Sequence, residues 1–150
     1  MNKVRLTKEF KFEMAHALDG YDGSCRFIHG HSYEMWVTVI GTPIAGKTNP
    51  KQGMVIDFGD LKKIVRNEIT DPLDHALMLN RNTVSPDLKD SHERFSNIIF
   101  VDYQPTSENM LIDFAARLKP LLPENVKLFS LKLRETITSY AEWFADDNAE

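Results

Sequence analysis

With 150 residues, 42% of them hydrophobic and 27% charged, the chain has the size and balance of one globular domain over residues 1–150. A net charge of −4, with Lys and Arg scattered rather than banked on one segment, argues against a nucleic-acid surface. No apolar run approaches membrane-spanning length and no apolar stretch follows Met1-Asn2-Lys3-Val4-Arg5, so no membrane partner is expected. The lone Cys25 excludes an intrachain disulfide and fits a cytoplasmic location.

Val4 to His16 reads as a strand, with Leu6, Phe10, Phe12 and Met14 on one face and Arg5, Glu9, Lys11 and Glu13 on the other. His16 ends the apolar face, as a hydrogen-bonded core histidine or as a ligand. Residues 17–28 form a loop marked by Asp19-Gly20 and Asp22-Gly23, and a second strand runs from His29 to Ile40. Side chains at alternate strand positions share a face, so His29 and His31 point the same way, along with Tyr33, Met35, Val37 and Val39. Taken alone, the His29-Gly30-His31 pair reads equally as a polar turn entering a strand. If the two strands pair as an antiparallel hairpin, however, His16 falls beside His29 and His31. Three neutral imidazoles with a fourth position open are the ligand set of a catalytic zinc site.

A Pro- and Gly-rich loop covers 41–53, and Met54-Val55-Ile56 reads as a short extended piece. Asp57 or a neighbour then caps a helix with Leu61, Ile64, Val65 and Ile69 on its apolar side, ended by Asp71-Pro72. Asp74-His75 follows as a surface charge pair, since adjacent side chains rarely hydrogen-bond to each other. Residues 80–96 read as a polar surface excursion with His92 exposed, and Asn97 to Tyr103 as a short β-rich run. Thr106 or Ser107 caps a second helix with Leu111, Phe114, Ala115, Leu118 and Leu121 on one side. The exposed N–H groups at its start can hold a polar ligand group. Val126 to Glu135 is a third long strand with Phe129, Leu131 and Leu133 on its odd face. Glu135 falls on that apolar side, where a carboxylate either finds a partner or turns to solvent. Ser139 to Phe144 gives a last strand, and 146–150 an acidic tail. The order predicts an α+β fold, an antiparallel four-stranded sheet with two helices packed on one face.

Six stretches in chain order resemble the 6-pyruvoyltetrahydropterin synthase / 6-carboxytetrahydropterin synthase family. They are Phe12-Glu13-Met14-Ala15-His16; Cys25 followed by His29-Gly30-His31-Ser32; Gly53-Met54-Val55-Ile56-Asp57-Phe58; Leu73-Asp74-His75; Pro105-Thr106-Ser107-Glu108-Asn109; and Arg134-Glu135-Thr136. The resemblance implies a tunnelling fold (T-fold), in which trimers close their sheets into a barrel and two trimers stack as a homohexamer, with active sites between subunits. It implies Zn²⁺ on His16, His29 and His31, and Cys25 as the proton-abstracting residue with Asp74 and His75 as its relay. It also implies a pterin anchored by Glu135, a further catalytic candidate beside the relay, and contacted by Thr106, Ser107 and Glu108. The expected substrate is 7,8-dihydroneopterin triphosphate. The expected product is 6-carboxytetrahydropterin, on the route to queuosine, with 6-pyruvoyltetrahydropterin as the alternative. A non-catalytic pterin- or metal-binding module is the competing class. The 81–96 segment is longer than in compact members of the family.

Overall fold

The computed structural model describes residues 1–149, so the Glu150 end of the expected acidic tail lies outside the described residues; 146–148 form a short 3-10 turn. The first strand, β1 (Val4–His16), pairs antiparallel with β2 (His29–Gly41), placing Met14 opposite His31 and His16 opposite His29. The alternation holds: Phe10, Phe12, Met14 and His16 are buried from β1, and Tyr33, Met35, Val37 and Val39 from β2.

The expected four-stranded sheet has six strands among the described residues. Two short strands, β3 (Ala76–Asn80) and β4 (Ile98–Val101), add to the β1 edge, and β5 (Val126–Thr136) and β6 (Ser139–Phe144) to the β2 edge. The order is β4-β3-β1-β2-β5-β6. The four long strands are antiparallel neighbours, whereas β3 runs parallel to β1 and β4 parallel to β3. Both additions are only four or five residues long, too short for alternation to stand out.

Helix α1 (Phe58–Val65) starts at Asp57, whose side chain accepts from the Gly59 amide, and it buries Leu61 and Val65. Asp71-Pro72 does not stop the chain's helical course. A wide turn over Arg66–Thr70 carries it to a last helical turn at Asp71–Leu73. Proline has no N–H to give to the preceding turn, and a single wide turn accommodates that loss. Met54-Val55-Ile56 forms no strand, but Val55 and Ile56 are buried against the core. Helix α2 (Ser107–Leu118) buries Met110, Leu111, Phe114, Ala115 and Leu118 in the same core. Both helices cover one face of the sheet.

Strand β5 departs from simple alternation. Leu128 pairs with Val39 and Ser130 with Thr38, leaving Phe129 as the extra residue of a bulge. The buried phase therefore switches from Val126 and Leu128 to Leu131 and Leu133, and Phe129 lies outside it, under the Arg5 guanidinium at 3.8 Å. Glu135 keeps the phase of Leu133 and faces the core side. The 81–96 excursion is less solvated than its composition implies: Val84, Leu88 and Phe95 pack against Ala17, Leu79 and Ile98, covering the short parallel strands. His92 is exposed, as expected.

Candidate metal centre and substrate cleft

The register of β1 and β2 sets three imidazoles at one end of the buried face, with ring centroids 4.6 to 5.2 Å apart. Glu135 reaches them from β5. Its Oε1 lies 3.1 Å from His16 Nε2 and 3.0 Å from His31 Nε2. One donor atom from each of His16, His29, His31 and Glu135 lies within 4.8 Å of the other three.

The tautomers of two rings follow from their partners. His16 Nδ1 sits 2.7 Å from the Pro105 carbonyl and His29 Nδ1 2.7 Å from the Phe27 carbonyl. A carbonyl only accepts, so each Nδ1 carries the proton and each neutral ring turns its Nε2 lone pair inward. The Nε2 atoms of His16, His29 and His31 are all buried without a hydrogen-bond partner. Burial, opposed by the Glu135 charge, holds His31 below the usual histidine range and so favours its neutral form. Lone pairs crowding a carboxylate oxygen require a positive charge between them. A tetrahedral divalent ion about 2.1 Å from each donor would space the donors about 3.4 Å apart, within the spread observed. The residues fit a metal.

Cys25 sits half-buried in a short 3-10 turn, Ser24–Arg26, and its carbonyl accepts from the Leu18 amide at 3.0 Å. It lines a cleft of about 340 Å³ with His16, Thr106, Ser107, Glu108 and Glu135. Thr106 is the cap of α2, its Oγ1 accepting from the Asn109 amide at 3.2 Å. Ser107, buried in the first turn, donates from Oγ to Glu135 Oε2 at 3.1 Å. Eight of the expected site residues thus converge on this cleft or border it through the imidazole cluster. Replacing Thr106 with alanine removes the cap and is expected to cost about 1 kcal/mol. Thermal unfolding should show this as a melting temperature lower by about 2–4 °C.

Asp74 and His75 lie elsewhere in the same chain. His75 borders a second cleft, with Glu13, Gly30, His31 and Ser32. The pair is more than a surface coincidence: His75 Nδ1 is 3.0 Å from Asp74 Oδ2, although the residues are adjacent. Backbone geometry makes the contact possible. His75 takes φ of +62°, a left-handed conformation uncommon for a side-chain-bearing residue. Its amide donates to the Glu13 carbonyl at 2.6 Å and Asp74 Oδ1 accepts from the Glu13 amide at 2.8 Å. The Glu13 N–H, with help from His75, holds the Asp74 carboxyl below the ordinary range.

Gln104 is a cleft residue that the motifs alone do not reveal. Its Nε2 donates to the Asp19 carbonyl at 2.9 Å, tying the Cys25 loop to the start of α2. Only its place beside Pro105-Thr106-Ser107 signals it in the sequence.

Residues 5–146 match the family model described as 6-pyruvoyl tetrahydropterin synthase. A Haemophilus influenzae protein named 6-carboxy-5,6,7,8-tetrahydropterin synthase is 38% identical over 141 residues, covering 93% of this chain and 97% of that one. A Rickettsia typhi protein of the same name is 31% identical over 141 residues, 93% of this chain and 99% of its own. Among solved structures, Caenorhabditis elegans 6-pyruvoyl tetrahydropterin synthase superposes with a TM-score of 0.67 at 25% identity, covering 97% of each chain.

Proposed function

The chain belongs to the 6-pyruvoyl tetrahydropterin synthase family, and from that premise we propose that it is a zinc-dependent carbon–oxygen lyase. It converts 7,8-dihydroneopterin triphosphate to 6-carboxy-5,6,7,8-tetrahydropterin with loss of triphosphate and acetaldehyde, in the synthesis of queuosine and related deazapurines. The observation that carries the reading is the meeting of a thiol, an inward carboxylate and three unpartnered imidazole nitrogens around one cleft. The carboxylated product is preferred to 6-pyruvoyltetrahydropterin because the bacterial relatives carry that name.

His16, His29 and His31 hold the zinc. Bound there, zinc would acidify C–H and O–H bonds beside the substrate oxygens it ligates. Cys25, facing the same cleft, acts as the base that takes the released proton. Glu135, ionised and steadied by Ser107, accepts from the amino and N–H edge of the pterin. Thr106, Ser107 and Glu108, at the start of α2, line the same cleft and contact the pterin. His75 borders a different cleft of its own subunit with Asp74 at its Nδ1, so we assign the pair as the relay for a neighbour's Cys25 in a homohexamer, a dimer of trimers. The sheet ends in β4 and β6, whose unpaired edges suit pairing with other copies.

The test is to incubate purified protein with 7,8-dihydroneopterin triphosphate and identify the products by mass. A carboxylated pterin with one acetaldehyde per turnover is expected. A pyruvoyl product without acetaldehyde would move the enzyme to the biopterin route.

A further inference from the structure

Tyr33 is 1% exposed, yet its hydroxyl has no hydrogen-bond partner. It follows His31 on the buried face of β2, with its ring stacked on Phe12 at 5.0 Å and edge-on to His31 at 5.4 Å. Glu34 pairs with Arg134, so one step along the two strands Tyr33 and Glu135 are cross-strand neighbours on the same face. Phe12, Tyr33 and Glu135 thus form a row across β1, β2 and β5.

A buried hydroxyl without a partner destabilises the fold, and phenylalanine would fill the same space without that loss. The hydroxyl therefore has a use beyond filling the core. Once the three Nε2 lone pairs are committed to an ion, those nitrogens have no proton to offer Glu135. Ser107 is then the one donor already bonded to the carboxylate, and Tyr33, its cross-strand neighbour, carries a buried O–H without a partner. We propose that Tyr33 is a positioning residue for Glu135: in the loaded site its hydroxyl donates to the carboxylate and holds it toward the substrate. This rests on the pterin-binding role given to Glu135 above.

The test uses Tyr33→Phe, Glu135→Gln and the double variant, with bound metal quantified, metal-free melting temperatures measured, and 7,8-dihydroneopterin as a non-reacting binding probe. Tyr33→Phe should keep its metal. Its metal-free melting temperature should be unchanged or higher by about 2–4 °C. Its affinity for 7,8-dihydroneopterin should fall about fivefold to tenfold, and adding Tyr33→Phe to Glu135→Gln should cause no further loss. A lower metal-free melting temperature, unchanged affinity, or an equal further loss in the Glu135→Gln background each overturns the assignment. If Tyr33→Phe does not fold, the hydroxyl serves the fold and the assignment also fails. Wild-type protein that does not bind 7,8-dihydroneopterin would instead refute the pterin reading on which the proposal depends, whatever the melts show.

Discussion

Cys25→Ala should lower turnover by at least about a thousandfold, within the range lost when a general base is removed, while the protein keeps its metal and its melting temperature. The side chain is half-buried on a surface loop, and the loop's recorded tie through Cys25 uses the backbone carbonyl, so truncation leaves that support intact. Single-turnover assays, metal quantification and a thermal melt on the same sample separate the possibilities. If the variant keeps wild-type turnover, Cys25 is not the base; if the wild-type protein itself binds the substrate without turning it over, the chain is a binding module. The relay gives a sharper form of the experiment. Mixing Cys25→Ala with His75→Ala subunits should restore activity if base and relay come from different subunits, because some interfaces then receive both intact groups. No recovery in mixed oligomers would place the relay elsewhere.

His31→Ala should reduce metal affinity by more than about a hundredfold, beyond the usual cost of losing a partner of a metal ligand, and abolish activity with it. The variant should remain folded, because the core is built from aliphatic and aromatic residues and the His31 ring meets it at its margin, edge-on to Tyr33. Metal content, a melting curve and activity decide the matter together. A folded, metal-free, inactive protein assigns the ion to chemistry. Collapse of the fold on metal loss would make the ion structural.

The ligand set was legible in the sequence because period-two alternation and one hairpin fix which side chains share a face. His16, His29 and His31 needed no long-range information beyond the pairing of β1 with β2, which the structure bears out. The inward phase of Glu135 was also readable, although the reason was not: the bulge at Phe129 resets the strand's phase before Glu135 is reached. Other features depended on tertiary context. The parallel strands β3 and β4 are too short to show a pattern, so the sheet reads as four-stranded. The contact between Asp74 and His75 depends on a left-handed backbone at a histidine, which side-chain spacing does not encode. The half-covered 81–96 segment hides three apolar anchors among polar neighbours, and only the fold shows what they rest on.

The clustered histidines belong to strand ends, whereas Cys25 rides on the loop that joins those strands. The two are therefore free to change at different rates over evolutionary time. Insertions, deletions or replacement of the reactive side chain within 17–28 would leave the facing pair His16 and His29 in register. A lineage could thus exchange the loop residue facing the cleft while inheriting an unaltered histidine-bearing hairpin. Substitutions that shift the register of β1 against β2 have no such freedom, because a one-residue slip turns the imidazoles to the opposite face.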